Sequence, residues 1–350
     1  MKLPALPINR ALLQWLRADP GWRDLDWRVR AALAWRAGLG SINQGLSEAQ
    51  PQSTHELEPL LILGPWRSGT TVMHELLSAA TGWPTPLTWQ CMDPCAFRLG
   101  KGPRANGTVA RPMDGLALGA FSPQEDEFAL LGLGQPSAYR AFWMPHRVGE
   151  MASMLDQQRW LDDTQWLRPW ESFLRAIAGP GTGLVLKSPN HTFRVQAILR
   201  RFPKARIVWM LRDPVQVFMS NRKMWRAMFA EHGLTNADPA ALDTFLTRAL
   251  VASADALRWA AAALPPVQLA FCRQEDLRLD PVSQTHRVLR QLGIDTGGRL
   301  AELKHAVALT SAGRTEAYAE TPTTAVLHAL QALRETQDGI ETPRGHPGGP

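Results

Sequence analysis

Cysteine is scarce: three in 350 residues, Cys91, Cys95 and Cys272, are too few for a disulfide framework, so a reduced, cytoplasmic setting is expected. Cys91 and Cys95 stand four apart with no nearby histidine or third thiol, so no metal site is expected. No stretch approaches the roughly 18 consecutive apolar residues of a membrane span. The opening MKLPALPINRALLQWL lacks a continuous apolar core followed by a small-residue cleavage site, the pattern of a secretory leader. Massed basic charge is missing too. The net charge of +6 is scattered, Arg200-Arg201 is its densest spot, and no Lys/Arg-rich hexamer occurs. Local anion sites, rather than a nucleic-acid face, are the expectation.

What is present is a core. An apolar content of 45% suits a globular chain and excludes global disorder. Short apolar runs at Leu60–Leu63, Leu184–Leu186, Arg206–Leu211 and Val267–Phe271 read as buried strands. Helical patterns lie between and around them, at about 68–80, 123–133, 150–178, 189–202, 214–230, 239–263, 281–292 and 323–336. Strands alternating with helices predict an α/β fold, P-loop-like, with a mostly parallel sheet flanked by helices. Residues 82–120, rich in proline and glycine, read mostly as loop. Residues 1–58 read as an N-terminal helical extension that packs on a 59–336 α/β domain, and 337–350 as a disordered tail. In the extension Trp22, Leu25, Val29, Leu33 and Arg36 recur at helical steps, and Trp27 and Trp35 fall close to the same flank, a face expected to dock on the body.

The segment Gly64-Pro65-Trp66-Arg67-Ser68-Gly69-Thr70-Thr71 joins the first strand to its helix. It fits G-x-x-x-x-G-K-[ST] everywhere except at Thr70, which replaces the lysine. The glycines still permit a tight loop whose backbone N–H groups converge on an anion at the helix N-terminus. The missing lysine normally holds β- and γ-phosphates; Arg67 brings charge from another point. A 5′-phosphate cradle without triphosphate chemistry is therefore expected, against the plainer reading of a strand–turn–helix with Ser68 as N-cap. A second anion site is expected where the third strand runs into Arg212-Asp213-Pro214, with Ser220 eight residues beyond Arg212. Asp213 and Pro214 make a well-formed helix start. Arg212, at the carboxyl end of a parallel strand, faces the crevice where such sheets bind ligands.

In that order, PWRSGTT, LKSPNHTF and FPKARIVWMLRDPVQVFMS resemble the sulfotransferases that use 3′-phosphoadenosine-5′-phosphosulfate (PAPS), especially the broad group with an Arg-Ser-Gly-Thr-Thr loop that includes the tyrosylprotein sulfotransferases. The later QEDLRLDP is similar to that group's "YEDL" stretch, and the likeness covers roughly 60–290. It implies that Arg67, Ser68, Gly69, Thr70 and Thr71 grip the 5′-phosphosulfate and that Arg212 and Ser220 bind the 3′-phosphate. It also accounts for the absent lysine, since PAPS has no γ-phosphate and the reaction needs no metal.

Sulfonate transfer is an in-line displacement that needs positioning, charge stabilisation and a base for the acceptor proton. The resemblance implies that Lys187, ending the second strand, contacts the transferring group; losing one such donor typically costs roughly 3–4 kcal/mol of barrier. Where relatives place a Trp-Glu pair this chain has Trp89-Gln90, and an amide cannot take a proton. Three candidate bases remain. Glu125 follows Ser122-Pro123, a pattern that is also a capping box. His191 follows Lys187 by four residues and is of a type that titrates near neutrality. Asp93 is the third. Arg314, in SAGRTEAY, is a candidate to close over the donor. The acceptor is expected to be a small molecule, its pocket lined by 82–120, by 135–150 with Tyr139, Trp143 and His146, and by the extension. A homodimer is left open. Rival readings are a degenerate nucleotide-binding protein, suggested by Gln90, and a P-loop kinase, disfavoured by Thr70.

Overall fold

A computed structural model describes residues 8–50, 54–100, 102–103, 107–110, 117–178, 181, 183–310 and 322–339. Among them four parallel strands form one sheet in the order β4-β1-β5-β6: β1 Glu58–Leu63, β4 Gly183–Lys187, β5 Arg206–Leu211 and β6 Leu269–Arg273. A separate hairpin pairs β2 Thr108–Ala110 with β3 Ala117–Gly119. The helices in chain order are α1 Arg10–Arg17, α2 Trp27–Glu48, α3 Thr70–Thr81, α4 Thr88–Met92, α5 Asp126–Gly132, α6 Gln157–Asp162 and α7 Leu167–Ile177. They continue with α8 Val195–Arg201, α9 Pro214–His232, α10 Pro239–Ala263, α11 Gln274–Leu279, α12 Pro281–Gln291, α13 Leu300–Thr310 and α14 Thr324–Asp338. No helix of the described residues is long and apolar enough to cross a membrane.

The strands are continuous apolar runs because both sheet faces are covered. Along β1 the side chains alternate between two layers. Leu60 and Ile62 pack with Met73 and Leu77 of α3 and Val288 and Leu289 of α12. Leu61 and Leu63 pack on the other face with Trp166, Trp170 and Phe173. A third apolar cluster joins α1, α2, α9, α10 and α14 around Trp66, Trp143 and Trp225.

Several expectations change. Residues 82–120 hold α4 and the hairpin, whereas a loop was expected. The 150–178 region is a 3₁₀ segment Pro145–Leu155 followed by α6 and α7, since Asp156 caps α6 and starts a new helix. The 189–202 region begins as a 3₁₀ helix, Pro189–Arg194, before α8. Ser68 does not cap α3: Gly69 occupies that position, and the Ser68 hydroxyl donates to the Pro65 carbonyl at 2.7 Å. The expected docking face of the extension is buried at Leu25, Val29 and Leu33, but the two tryptophans expected on its flank lie elsewhere. Val29, Leu33 and Ala37 are buried, but Trp27 and Trp35 are 66% and 70% exposed.

Candidate functional site

The site is built at the carboxyl ends of β4, β1 and β5, which are adjacent in the sheet. The loop after β1 bends sharply because Gly64 (φ 130°) and Gly69 (φ 93°) take conformations open to glycine. A Cβ on Gly64 would meet the Met210 carbonyl oxygen at 2.6 Å, and one on Gly69 would meet Gln274 at 2.8 Å, so the loop lies tight against its neighbours. Between them Arg67 is left-handed at φ 69°, the one such non-glycine residue among those described. Two side chains fix the loop from outside. Asn221 of α9 donates its amide to the Trp66 carbonyl at 2.7 Å. Thr192 accepts from the Gly64 N–H and donates to the Gly64 carbonyl, both at 3.0 Å. No side chain caps α3, so its first N–H groups present the positive end of the helix toward the loop. Thr70 is buried at the start of that helix, with Thr71 half-buried next to it.

The second cationic group meets this loop directly. Arg212 donates to the Arg67 carbonyl at 2.7 Å and to Gln216 at 3.1 Å. The Arg67 Nε donates to the Ser220 hydroxyl at 3.1 Å. Two guanidinium groups and a hydroxyl thus converge at the mouth between β1 and β5. Asp213 caps α9, accepting from the Gln216 N–H at 3.0 Å, as its place before Pro214 implies. It also pairs with Arg334 of α14 at 2.9 Å. Arg314 lies outside the described residues.

Lys187 ends β4 almost wholly buried, and its ammonium lies 2.6 Å from Glu125 Oε1. The Tyr139 hydroxyl donates to the other oxygen of Glu125 at 2.6 Å and accepts from the Trp66 indole N–H at 3.0 Å. A hydrogen-bonded chain therefore runs from the phosphate-type loop through Tyr139 and Glu125 to Lys187. Burial, and then the Glu125 carboxylate, push the Tyr139 phenol well above its ordinary range, so it stays a donor. The capping-box reading of Glu125 does not hold: Glu125 is itself the N-cap residue of α5, its side chain makes no cap bond, and Ser122 is bonded to the Gly119 N–H.

Glu125 is the first of three consecutive carboxylates, and each has a basic partner from the stretch that starts at the last residue of β4. Asp126 meets His191 at 2.9 Å and the Trp170 indole at 2.6 Å. Burial alone would raise the Asp126 carboxyl, but His191, Trp170 and Arg194 hold it below its ordinary value. Glu127 meets Arg194 through two hydrogen bonds, at 2.5 and 3.0 Å. Arg194 also donates to the Pro136 carbonyl and lies over the rings of Trp160 and Trp166. Adjacent in sequence, the three acids diverge in position. Only Glu125 keeps appreciable exposure, 13% of its side chain, while Asp126 and Glu127 have none.

The other candidate bases separate on the same ground. His191 is brought within one residue's reach of Glu125 but is fully enclosed beside Asp126, Trp166 and Trp170. Asp93 sits exposed at the end of α4, where burial of part of its carboxyl raises its pKa. Gln90 spends its amide oxygen on the Leu87 N–H at 2.9 Å, a helix-capping duty. The expected aromatic pocket lining is also revised: Tyr139 and Trp143 are buried in the core, and His146 pairs at the surface with Asp19 and Thr235. Sequence reasoning missed Asp126, Glu127, Arg194, Thr192, Asn221 and Arg334. The signal for the first three was available, as basic residues at 187, 191 and 194 answer the acids at 125, 126 and 127.

The model of the sulfotransferase family matches residues 59–297, which run from the second residue of β1 through α12 and include every group named above except Asp19, Arg314 and Arg334. This chain is a sulfotransferase-family protein. Over 243 residues it is 30% identical to the omega-hydroxy-beta-dihydromenaquinone-9 sulfotransferase Stf3 of Mycobacterium bovis and, equally, of Mycobacterium tuberculosis, covering 67% of this chain. The sulfotransferase-family chain spans 63% of the length of these curated relatives. Its fold is shared with the crystal structure of sulfotransferase STF9 from Mycobacterium avium, at a TM-score of 0.61 and 20% identity over 94% of this chain and 89% of that one. Sulfotransferase STF1 from Mycobacterium tuberculosis gives 0.60 and 19% identity over 94% and 90%.

Proposed function

We propose that this protein transfers a sulfonate group from PAPS to a hydroxyl of an apolar, small-molecule acceptor. The observation that carries the reading is the direct junction of two cationic elements: Arg212 bonded to the Arg67 carbonyl, with Arg67 bonded to Ser220. A donor phosphorylated at both 5′ and 3′ positions suits a loop and a strand end that meet in this way. The donor set, two guanidinium groups and hydroxyls beside an uncapped helix N-terminus, is chemically matched to such a polyanion. In this reading Arg67, Ser68, Gly69, Thr70 and Thr71 surround the 5′-phosphosulfate, and Arg212 and Ser220 take the 3′-phosphate.

Lys187 stabilises the sulfonate as it leaves the phosphate, and Glu125 takes the acceptor proton. The acceptor oxygen forms its bond to sulfur as the sulfur–oxygen bond to the 5′-phosphate breaks, leaving 3′,5′-ADP. Glu125 is favoured over His191 because a base must be reachable by the acceptor. The Trp66–Tyr139–Glu125 chain ties the orientation of that base to the loop that would hold the donor. The relatives named for an omega-hydroxy-menaquinone support a lipid-like alcohol as the acceptor class to test first.

Calorimetric titration tests the donor. Tight binding of 3′,5′-ADP that 5′-AMP does not reproduce is expected, with Arg212→Ala weakening 3′,5′-ADP selectively. Equal weakening of both nucleotides would overturn the assignment of Arg212. Transfer from labelled PAPS to a panel of apolar alcohols, read by the mass gain of one sulfonate, then tests the activity; nucleotide binding without transfer to any acceptor would favour a degenerate binding protein.

A further inference from the structure

The exposed face of α2 carries residues that an isolated surface helix has no use for. Ala31, Trp35, Gly38, Ile42 and Gly45 follow one another by steps of four, three, four and three, the spacing of a helix–helix seam. All five are exposed, Ile42 to 62%, and Leu39 and Leu46 flank them at 44% and 55%. On a helical projection the stripe occupies a sector of roughly 120°, opposite the buried Val29, Leu33 and Ala37. From Ala31 to Leu46 that sector holds no charged or polar side chain.

Glycine inside a helix is destabilising by roughly 0.5–1 kcal/mol relative to alanine. Among the described residues, and apart from the helix's own backbone, nothing lies within 4 Å of where a Cβ on Gly38 or Gly45 would stand, so no contact among them requires glycine there. Two such positions one heptad apart, each beside a large apolar side chain, are the shape of a surface that another backbone approaches closely. A lipid surface has no need of such holes.

We propose that the α2 faces of two copies of this chain pair antiparallel to form a two-fold dimer. Antiparallel pairing sets the first seam position of one helix against the second of the other, so a stripe that alternates large and small complements itself. One register uses the whole helix. It sets Trp35 of each copy opposite Gly38 of its mate, Ile42 opposite Ala31, and Leu46 opposite Trp27. In that register Trp35 and Ile42 each meet a small residue, and Leu46 and Trp27 pack against each other toward the ends of the seam. The five large side chains expose on the order of 600 Å² of apolar surface per copy, and burying both sets approaches the roughly 1,200 Å² at which specific interfaces begin.

Sedimentation equilibrium on the full chain over a wide dilution series tests this. A mass near twice 38.8 kDa is expected for the wild type. Trp35→Glu with Ile42→Glu, both at exposed positions, should give a folded monomer. Gly38→Leu should weaken dimerisation at least tenfold, yet at dilutions where both proteins are monomeric leave the thermal midpoint equal or higher, because it removes a helix-breaking residue. The register has its own readout. A mixture of Trp35→Cys and Gly38→Cys chains should crosslink to each other under oxidation far faster than Trp35→Cys chains alone; Cys91, Cys95 and Cys272 are free but buried. A wild type that stays monomeric throughout the series would overturn the proposal. So would a dimer indifferent to Gly38→Leu, or a monomer whose stripe instead drives co-sedimentation with anionic phosphatidylglycerol vesicles.

Discussion

His74 offers a quantitative test of how dry the floor of the site is. It lies on α3, one turn past the loop, fully buried, with Nε2 2.5 Å from the Thr85 hydroxyl. Burial first, and the nearby Lys187 ammonium second, lower its pKa from 6.5 to about 3. The folded chain therefore holds the ring neutral where the unfolded chain would protonate it. Its contribution to stability is complete above pH 6.5 and is lost as the pH falls toward about 3. Each pH unit inside that window removes about 1.4 kcal/mol, so on the order of 2 kcal/mol is gone by pH 5. His74→Gln keeps a polar partner for Thr85 and cannot titrate. Urea unfolding of both proteins at neutral pH and at pH 5 should show the wild type losing more stability than the variant by that amount. Equal losses would mean that water reaches His74 and that the region beneath Lys187 is wet.

The remaining predictions separate two of the three carboxylates, Glu125 and Glu127. Glu125→Gln should lower sulfonate transfer roughly 10²–10⁴-fold, the usual worth of a general base, while 3′,5′-ADP titrates as in the wild type; near-normal turnover would remove Glu125 from that role. Glu127→Gln should destabilise the fold by about 3 kcal/mol in denaturant titrations, because it leaves Arg194 buried beside a neutral partner. The figure sits at the low end for a broken buried pair because the Pro136 carbonyl and the two tryptophan faces remain. A loss below about 1 kcal/mol would show that the pair is solvated.

Much of the frame was legible in the chain. The apolar run of β5, buried on both faces, and the alanine-rich α10, bracketed by Pro239 and Ala263, match their expected bounds because clear end signals bracket each. The loop after β1 and the Arg212 corner were legible for a related reason: glycine and proline at fixed offsets leave few backbone paths. The hairpin of β2 and β3 was not, since three-residue strands carry too little alternation to rise above a proline- and glycine-rich background. Nor was α11, a six-residue helix starting immediately after β6. At the site, Glu125 and Lys187 could be nominated but not joined, because they are 62 residues apart and meet only through the tertiary fold. On α2 the inward Val29 and Leu33 were legible, but Trp27 and Trp35 were set on the wrong flank because apolar residues encircle most of the helix.

The left-handed backbone at Arg67 has a consequence for how this loop tolerates change. An L-residue held there loses on the order of 1–2 kcal/mol that a glycine would not. Arginine at this point means that the position is occupied for its guanidinium in spite of the torsion it imposes, and replacement by glycine would relax the turn while discharging its mouth. If Arg67 binds the donor as proposed, robustness and ligand affinity pull in opposite directions at a single residue, and selection for a sturdier scaffold would erode that binding first.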